Sequence, residues 1–394
     1  MRIAFDAAPL LDEHMSGVGH CEAGLALALQ RLYPEHAYIF NYFSVRGSAG
    51  KRQRLSPYML PGSETNTPTF SPLVYRMMTQ FIPVPYRWFF GNKADITHYF
   101  NYIVPPGVSG RTLVTVHDMV IRAFPETMRA RTKTLLRVGL ERSMKRADRI
   151  ITVSEFSRQE ILKYYPRYED KIRIVKCGVD LDKFQPASPE EIERVRSSVG
   201  LPEEYFLFMG NVEPRKNLLR LIQAYAKLSE RMPQVPKLVV AGANGWRNSE
   251  IYESVQKPEL IDRVQFTNYI PEGDLRGLVC GATAFLFPSV YEGFGIPPLE
   301  AMACGVPVMA SKTASLPEVT GDCAVQIDPY DLDSMAQGME QLYTDAALRQ
   351  DLAARGRERA KTLTWDAAAQ DLMQVYQELI YGGTHGRTAD LAGE

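Results

Sequence analysis

Two carboxylates eight positions apart, Glu292 and Glu300 in "EGFGIPPLE", enclose two glycines, a phenylalanine and a proline pair. Such a pair can exchange protons, hold ligand hydroxyls or merely flank a turn. In "MGNVEPRKNLLRLI" (209–222) two adjacent cations, Arg215 and Lys216, precede a helical pattern. Paired cations beside the free N–H groups of a helix start add their fields, which suits a diphosphate. In "TVHD" His117 follows an apolar run, where a histidine can catalyse, touch a ligand or simply brace a loop. In "SGVGHCEAG" (16–24) Gly17 and Gly19 let backbone N–H groups approach an anion. The third glycine of a dinucleotide fingerprint is missing, with Glu22 in its place, and ten residues separate Asp6 from Gly17. That loop is too long for the tight turn of such a site, which disfavours a dehydrogenase.

All four stretches follow apolar runs. "RIAFD", "ADITHYF", "RTLVTVHD" and "DRIITVS" read as strands of a first half. "YFLFMG", "KLVVAGA", "RVQFTNYI", "TAFLFPS", "PVMAS" and "CAVQID" read as strands of a second. Helical patterns lie between them, as in 217–231, where Leu218, Leu221, Ile222, Tyr225 and Leu228 recur with a period near 3.6. Nearly continuous apolar strands separated by helices predict parallel sheets covered on both faces. Asn217 is the expected cap of its helix, and Ser188 that of "PEEIERVRS". "PPLEAMACG" starts a helix that carries Glu300 near its first turn, with Gly305 as its stop. The Pro186 and Pro189 region, 182–190, divides the chain into residues 1–182 and 183–365, each large enough for a doubly wound domain. Ligands of such sheets bind beyond the carboxyl ends of the strands, so a cleft between the two sets of ends is expected.

Composition excludes several classes. A chain of 394 residues exceeds one ordinary core, and 45% apolar with 23% charged residues is globular. No apolar run approaches the roughly 20 residues of a spanning helix, and the start reads as a strand rather than a secretion signal. Five scattered cysteines, none in a C-x-x-C pair, disfavour structural zinc or a disulfide framework and fit a reducing cytoplasm. The net charge of −1 hides a split: residues 46–149 hold 17 Lys/Arg against 6 Asp/Glu. That half is expected to face something anionic, or to be a solvated basic face.

In this order the motifs resemble those of the family 4 retaining glycosyltransferases, and the likeness covers almost the whole chain. Its most specific part is E-x7-E, Glu292 to Glu300 within "EGFGIPPLEAMACGVPV"; "GNVEPRKN", "ADRIITVSEFSRQEI", "SGVG" and "TVHD" complete it. The resemblance implies the GT-B fold, two Rossmann-like α/β domains with parallel sheets facing across a cleft. It also implies a C-terminal helix at 366–382 crossing back to the first domain, before a loose tail at 383–394. By match, Arg215 and Lys216 would grip the diphosphate of a donor nucleotide sugar, Glu300 would accept from ribose hydroxyls, and Glu292 would contact the transferred sugar. The N–H groups of Gly293, Phe294 and Gly295 would lie near sugar and phosphate. Gly17 and Gly19 would close over the donor, His117 would sit by the sugar, and Tyr269 and Ile270 would back the nucleobase. Where the family often has Gly-x-Gly-Arg-Tyr, His20 and Cys21 follow Gly19 here, so an arginine contact is replaced or lost.

The implied activity is retaining, metal-independent transfer of a hexose to a hydroxyl of a saccharide acceptor, with GDP-mannose the favoured donor over UDP-sugars. "DLD" at 331–333 falls in an expected loop rather than at a strand end, so Arg215 and Lys216 are the groups to neutralise the leaving diphosphate. Residues 46–93 interleave seven Lys/Arg and one Asp/Glu with aromatics, which suits either a membrane interface or a domain core. A lipid-linked acceptor and peripheral binding at the inner face of the cytoplasmic membrane are expected, without nucleic acid as a partner. The alternatives are a sugar-nucleotide epimerase of the same fold and a non-catalytic nucleotide-sugar-binding protein.

Overall fold

The computed structural model describes residues 1–382 except 14, 46–47, 129, 243–248 and 269. Tyr269 and the tail expected at 383–394 therefore lie outside the described residues. The chain forms two compact units, Met1–Gly178 with the segment from Trp365 onward, and Val179–Thr364.

The first unit is built on seven parallel strands: β1 Arg2–Asp6, β2 Ala37–Asn41, β3 Glu64–Asn66, β4 Ile96–Tyr99, β5 Arg111–Thr115, β6 Arg149–Thr152 and β7 Ile172–Ile174. Their order is β3-β2-β1-β4-β5-β6-β7. Helices cover both faces, so the central strands are apolar throughout; Ile3, Phe5, Ile96, Leu113, Val114 and Ile150 are fully buried. Successive strands step one way from β1 to β3 and the other way from β4 to β7. The chain therefore leaves the sheet in opposite directions at neighbouring β1 and β4, which opens a crevice at their carboxyl ends.

The helix Gly17–Leu32 follows β1 and packs against the C-terminal helix Trp365–Tyr381. The latter buries Ala369, Leu372, Met373, Tyr376 and Leu379, spaced three and four apart, as a helix with one inward face must. Close approach is possible because Gly24 lies under the Trp365 ring, where any side chain would overlap it. Buried His98 joins the parts, with Nδ1 2.8 Å from the Tyr376 hydroxyl and Nε2 2.8 Å from Thr115 Oγ1. Burial, with His117 adding to it, lowers its pKa to about 3, so it is a neutral structural link.

The second unit has six parallel strands: β8 Tyr205–Met209, β9 Lys237–Ala241, β10 Val264–Asn268, β11 Ala284–Phe287, β12 Val308–Ser311 and β13 Ala324–Ile327. Their order, β10-β9-β8-β11-β12-β13, reverses between β8 and β11. The helix Leu218–Arg231 lays Leu218, Leu221, Ile222, Tyr225 and Leu228 on the sheet, against Phe206, Phe208, Leu238 and Val240. Burying each such side chain is worth about 2 kcal/mol. Ser188 caps the helix Pro189–Val199 by accepting from the Glu191 N–H at 3.3 Å. Among the described residues, no helix is long and apolar enough to cross a membrane.

Candidate active site

The loops after β8 and β11 meet beside the second unit's reversal. After β8 the chain passes Glu213 into a short turn, Pro214–Lys216. Asn217 then takes a left-handed conformation, φ +62°. It was expected to cap the following helix, but its side chain makes no capping bond. Its amide instead donates to the carbonyls of Pro288, at 3.1 Å, and Pro329, at 2.6 Å. Asn217 thus ties the β8 loop to the loops after β11 and β13, and the Val290 N–H donates back to the Arg215 carbonyl at 2.9 Å.

This stitching brings Arg215 and Lys216 onto one carboxylate 76 and 77 positions away. Lys216 Nζ lies 2.6 Å from Glu292 Oε1 and Arg215 Nη1 2.9 Å from Oε2. Arg215 also reaches the Tyr291 carbonyl at 3.2 Å and, through Nε, Glu213 at 3.2 Å. Lys216 Nζ sits 4.6 Å from the Phe287 ring centroid, a cation–π contact. The side chains of Lys216 and Glu292 are only 11% and 10% exposed. Burial alone would raise the Glu292 pKa, but Arg215 and Lys216 outweigh it and hold the carboxyl at about 2. Two cations and two carboxylates, mutually compensated and with Lys216 and Glu292 nearly dry, therefore stand at the crevice of this sheet.

The loop from Glu292 to Gly295 is fastened from below. The Ser315 hydroxyl lies 2.9 Å from the Glu292 carbonyl and 2.7 Å from that of Phe294. Gly295 adopts φ +121°, and a side chain there would press into Leu316. The helix Ile296–Ala303 follows, with prolines as its second and third residues. Two of the four N–H groups that a helix start usually offers are thus absent, and anion-binding donors here must come from Ile296 and the glycine loop. Glu300 lies in the second turn, a little deeper than expected. Burial pushes its pKa up to about 7, Glu272 adds to the rise, and Lys183 opposes it. Lys183 and Glu272 are themselves ion-paired. Ile270 is buried, as are Gly293 and Phe294.

In the first unit the expected glycine loop is already helix. Gly17 is the first residue of its helix, solvent-exposed and with open space around its Cα, and Gly19 lies buried against Pro9 and Met15. His20 is exposed on the same turn. His117 follows β5, and its Nε2 lies 2.8 Å from the Phe100 carbonyl, so that nitrogen carries the proton. Burial lowers its pKa despite this bond, leaving a neutral imidazole. The "DLD" stretch is not a loop: Asp331 caps the helix Leu332–Thr344. Sequence reasoning missed Glu213, Ser315, Lys183 and Glu272 as parts of this site. Only Glu213, two residues from Arg215, carried a local signal.

Two Rossmann-like units, each an all-parallel sheet with a strand-order reversal, are the units of the GT-B fold. Residues 190–359 match the family "Glycosyl transferases group 1" and residues 17–183 match "Glycosyltransferase Family 4". Over 288 residues the chain is 34% identical to the O-antigen chain mannosyltransferase B of Escherichia coli, covering 73% of this chain and 75% of that protein. It is 32% identical over 243 residues to the serotype-specific mannosyltransferase WbdA of Escherichia coli, covering 60% of this chain but 29% of that longer protein. Among solved structures it resembles Anabaena HepE in complex with UDP-glucose, with TM-score 0.74, 17% identity and coverage of 96% and 100%. It also resembles WaaG, a glycosyltransferase involved in lipopolysaccharide biosynthesis, with TM-score 0.67, 16% identity and coverage of 95% and 99%. This chain belongs to the family 4 glycosyltransferases of the GT-B fold.

Proposed function

We propose that this glycosyltransferase moves a hexose, mannose from GDP-mannose by preference, to a hydroxyl of a lipid-linked saccharide acceptor during assembly of a cell-surface polysaccharide. The observation that carries the chemistry is the pair Arg215–Lys216, held beside Glu292 at the reversal of the second sheet. Breaking the bond from the sugar C1 to the phosphate oxygen leaves negative charge on the diphosphate. Arg215 and Lys216 take up that charge, each worth about 2–4 kcal/mol in the transition state, so the reading needs no metal. Glu292 holds the cations in register and accepts from hydroxyls of the transferred sugar, and Glu300 accepts from the ribose. The acceptor oxygen bonds to C1 on the face the diphosphate leaves, its proton passes to a donor phosphate oxygen, and the anomeric configuration is retained. The preference for mannose is supported by the mannosyltransferase relatives.

The test is purified protein with GDP-mannose, GDP-glucose and UDP-glucose, each with a mannose-terminated acceptor, with and without chelator. The reading expects transfer from GDP-mannose that survives chelation and gives an α-anomeric product by NMR. Donor epimerisation without transfer would select the epimerase alternative, and binding without turnover the non-catalytic one.

A further inference from the structure

Two of the free cysteines meet inside the first unit. Cys21 lies one turn into the helix Gly17–Leu32, and Cys177 follows β7, just before the chain passes into the second unit at Val179. The Cys177 thiol donates to Cys21 Sγ across 3.6 Å, between residues 156 positions apart. The two residues are only 2% and 4% exposed. A single buried cysteine is an ordinary small apolar filler. Filling does not require two sulfurs from separate elements to face each other at contact distance. Sheet order makes the meeting informative. β1 and β7 are separated by β4, β5 and β6, with β7 outermost. These strands are parallel, so the start of the helix after β1 and the chain after β7 stand at the same, carboxyl edge. The thiol contact therefore ties together two places along that edge, where the strand-order reversal opens its crevice.

The bond to Cys21, with burial, raises the Cys177 thiol well above its ordinary pKa. Cys177 thus keeps its proton and points it at Cys21, whose thiolate such a bond stabilises. Both thiols are one residue from solvent: exposed His20 precedes Cys21, and exposed Lys176 precedes Cys177. We propose that Cys21 and Cys177 form a thiol–disulfide site that takes a hydroperoxide as its oxidant, and that the bond locks the start of the helix Gly17–Leu32 to the chain after β7. Cys21 gives up its proton and attacks one peroxide oxygen; the O–O bond breaks, leaving a sulfenic acid and one water. Cys177 Sγ then attacks Cys21 Sγ, the S–O bond breaks, and the hydroxyl leaves with the Cys177 proton as a second water. Two thiols are oxidised and one hydrogen peroxide is reduced; a dithiol reductant reverses the change by exchange. The sulfurs need to close from 3.6 Å to about 2.0 Å. The second unit offers a comparison. There Cys280 Sγ accepts from the Ala187 N–H at 3.3 Å, lies 3.5 Å from the Gln185 carbonyl and stands 4.0 Å from the Cys304 carbonyl, so backbone engages it. The lock is independent of which sugar is transferred, so it can fail while the proposed transfer stands, or the reverse.

The experiment treats the folded, fully reduced chain with hydrogen peroxide, blocks remaining thiols and maps the digest without reduction. A linked peptide pair carrying Cys21 and Cys177 is expected, lighter by two hydrogens than the separate peptides and released by dithiothreitol. Because the bond closes a loop between positions 156 apart, the oxidised chain should melt about 5 °C or more above the reduced one, and dithiothreitol should cancel the gain. Cys177→Ala should leave the sulfenic acid stranded on Cys21, where dimedone labels it, while the parent is labelled at least tenfold less at that position. The mapping and the melting of the parent decide the matter even where the variant folds poorly. No Cys21–Cys177 pair after oxidation, or a pair found at Cys280–Cys304 alone, would overturn the site and leave the two buried thiols as packing. A Cys21–Cys177 bond that forms without any gain in melting temperature would overturn the lock.

Discussion

Glu292 at the carboxyl edge of the second sheet and Asp6 at that of the first answer burial in opposite ways. At the second sheet, Glu292 is buried and stays ionised because Arg215 and Lys216 face it. At the first sheet, burial pushes Asp6 up to about 6, with only Arg76 and one backbone N–H opposing. Burial also drives Glu22 well above the ordinary range, with Asp6 adding to it. Neither carboxylate oxygen of Glu22 has a hydrogen-bond partner among the described residues. A buried charge costs several kcal/mol unless partners are placed rigidly, and a buried acid can avoid most of that cost by keeping its proton. Only the second edge therefore invests in fixed cations, through the Asn217 clip and the Ser315 fastening. The cluster of compensated buried charges built on Glu292 thus lies in the second unit.

The sharpest break of this contrast is Arg215→Ala. If the cations serve the leaving diphosphate, kcat should fall by about 10²–10³, beyond the loss of melting temperature that leaving buried Glu292 with one cation brings. If they only balance Glu292, stability should fall and turnover should not. Next in size is the pH dependence of donor binding. With a pKa near 7, Glu300 is ionised at pH 8 and mostly protonated at pH 6. The donor KM should rise by up to about tenfold across that range, and Glu300→Gln should flatten the profile. The smallest effect lies at the first sheet. Asp6 holds its proton more tightly when folded, so its contribution to stability is full below about pH 4 and is lost as pH rises through 6. Asp6→Asn should raise the melting temperature by a few degrees at pH 8 and leave it unchanged at pH 4.

Much of the fold could be read from the chain because buried parallel strands are short, continuous apolar runs. Three strands escaped. β3 and β7 have only three residues each, and Glu64 in β3 is exposed, so neither carries the pattern. β2, "AYIFN", is apolar enough but follows a turn that separates it from the expected periodicity. Glycines at 17 and 19 suggested a loop, but exposed Gly17 begins the helix Gly17–Leu32 and Gly19, packed against Pro9 and Met15, lies in its first turn. At the site, motif order brought Arg215, Lys216 and Glu292 to notice, and the structure joins them in one cluster, but pattern gave no sign of those bonds. Glu292 read as a hook for sugar hydroxyls, and its ion pairs span 76 and 77 positions, a separation that local pattern does not encode. Asn217 read as a cap for the same reason: its partners are 71 and 112 positions away. The aromatics before β4 could be core or interface, and only burial divided them.

The central claim is that Arg215 and Lys216 form a diphosphate site. Calorimetric titration of GDP and of guanosine into the parent and into Lys216→Ala tests it most directly. The account predicts that GDP binding weakens by about ten- to a hundredfold in the variant, the loss of one charge-assisted contact, while guanosine binds both alike. Equal affinity of the two proteins for GDP would contradict it.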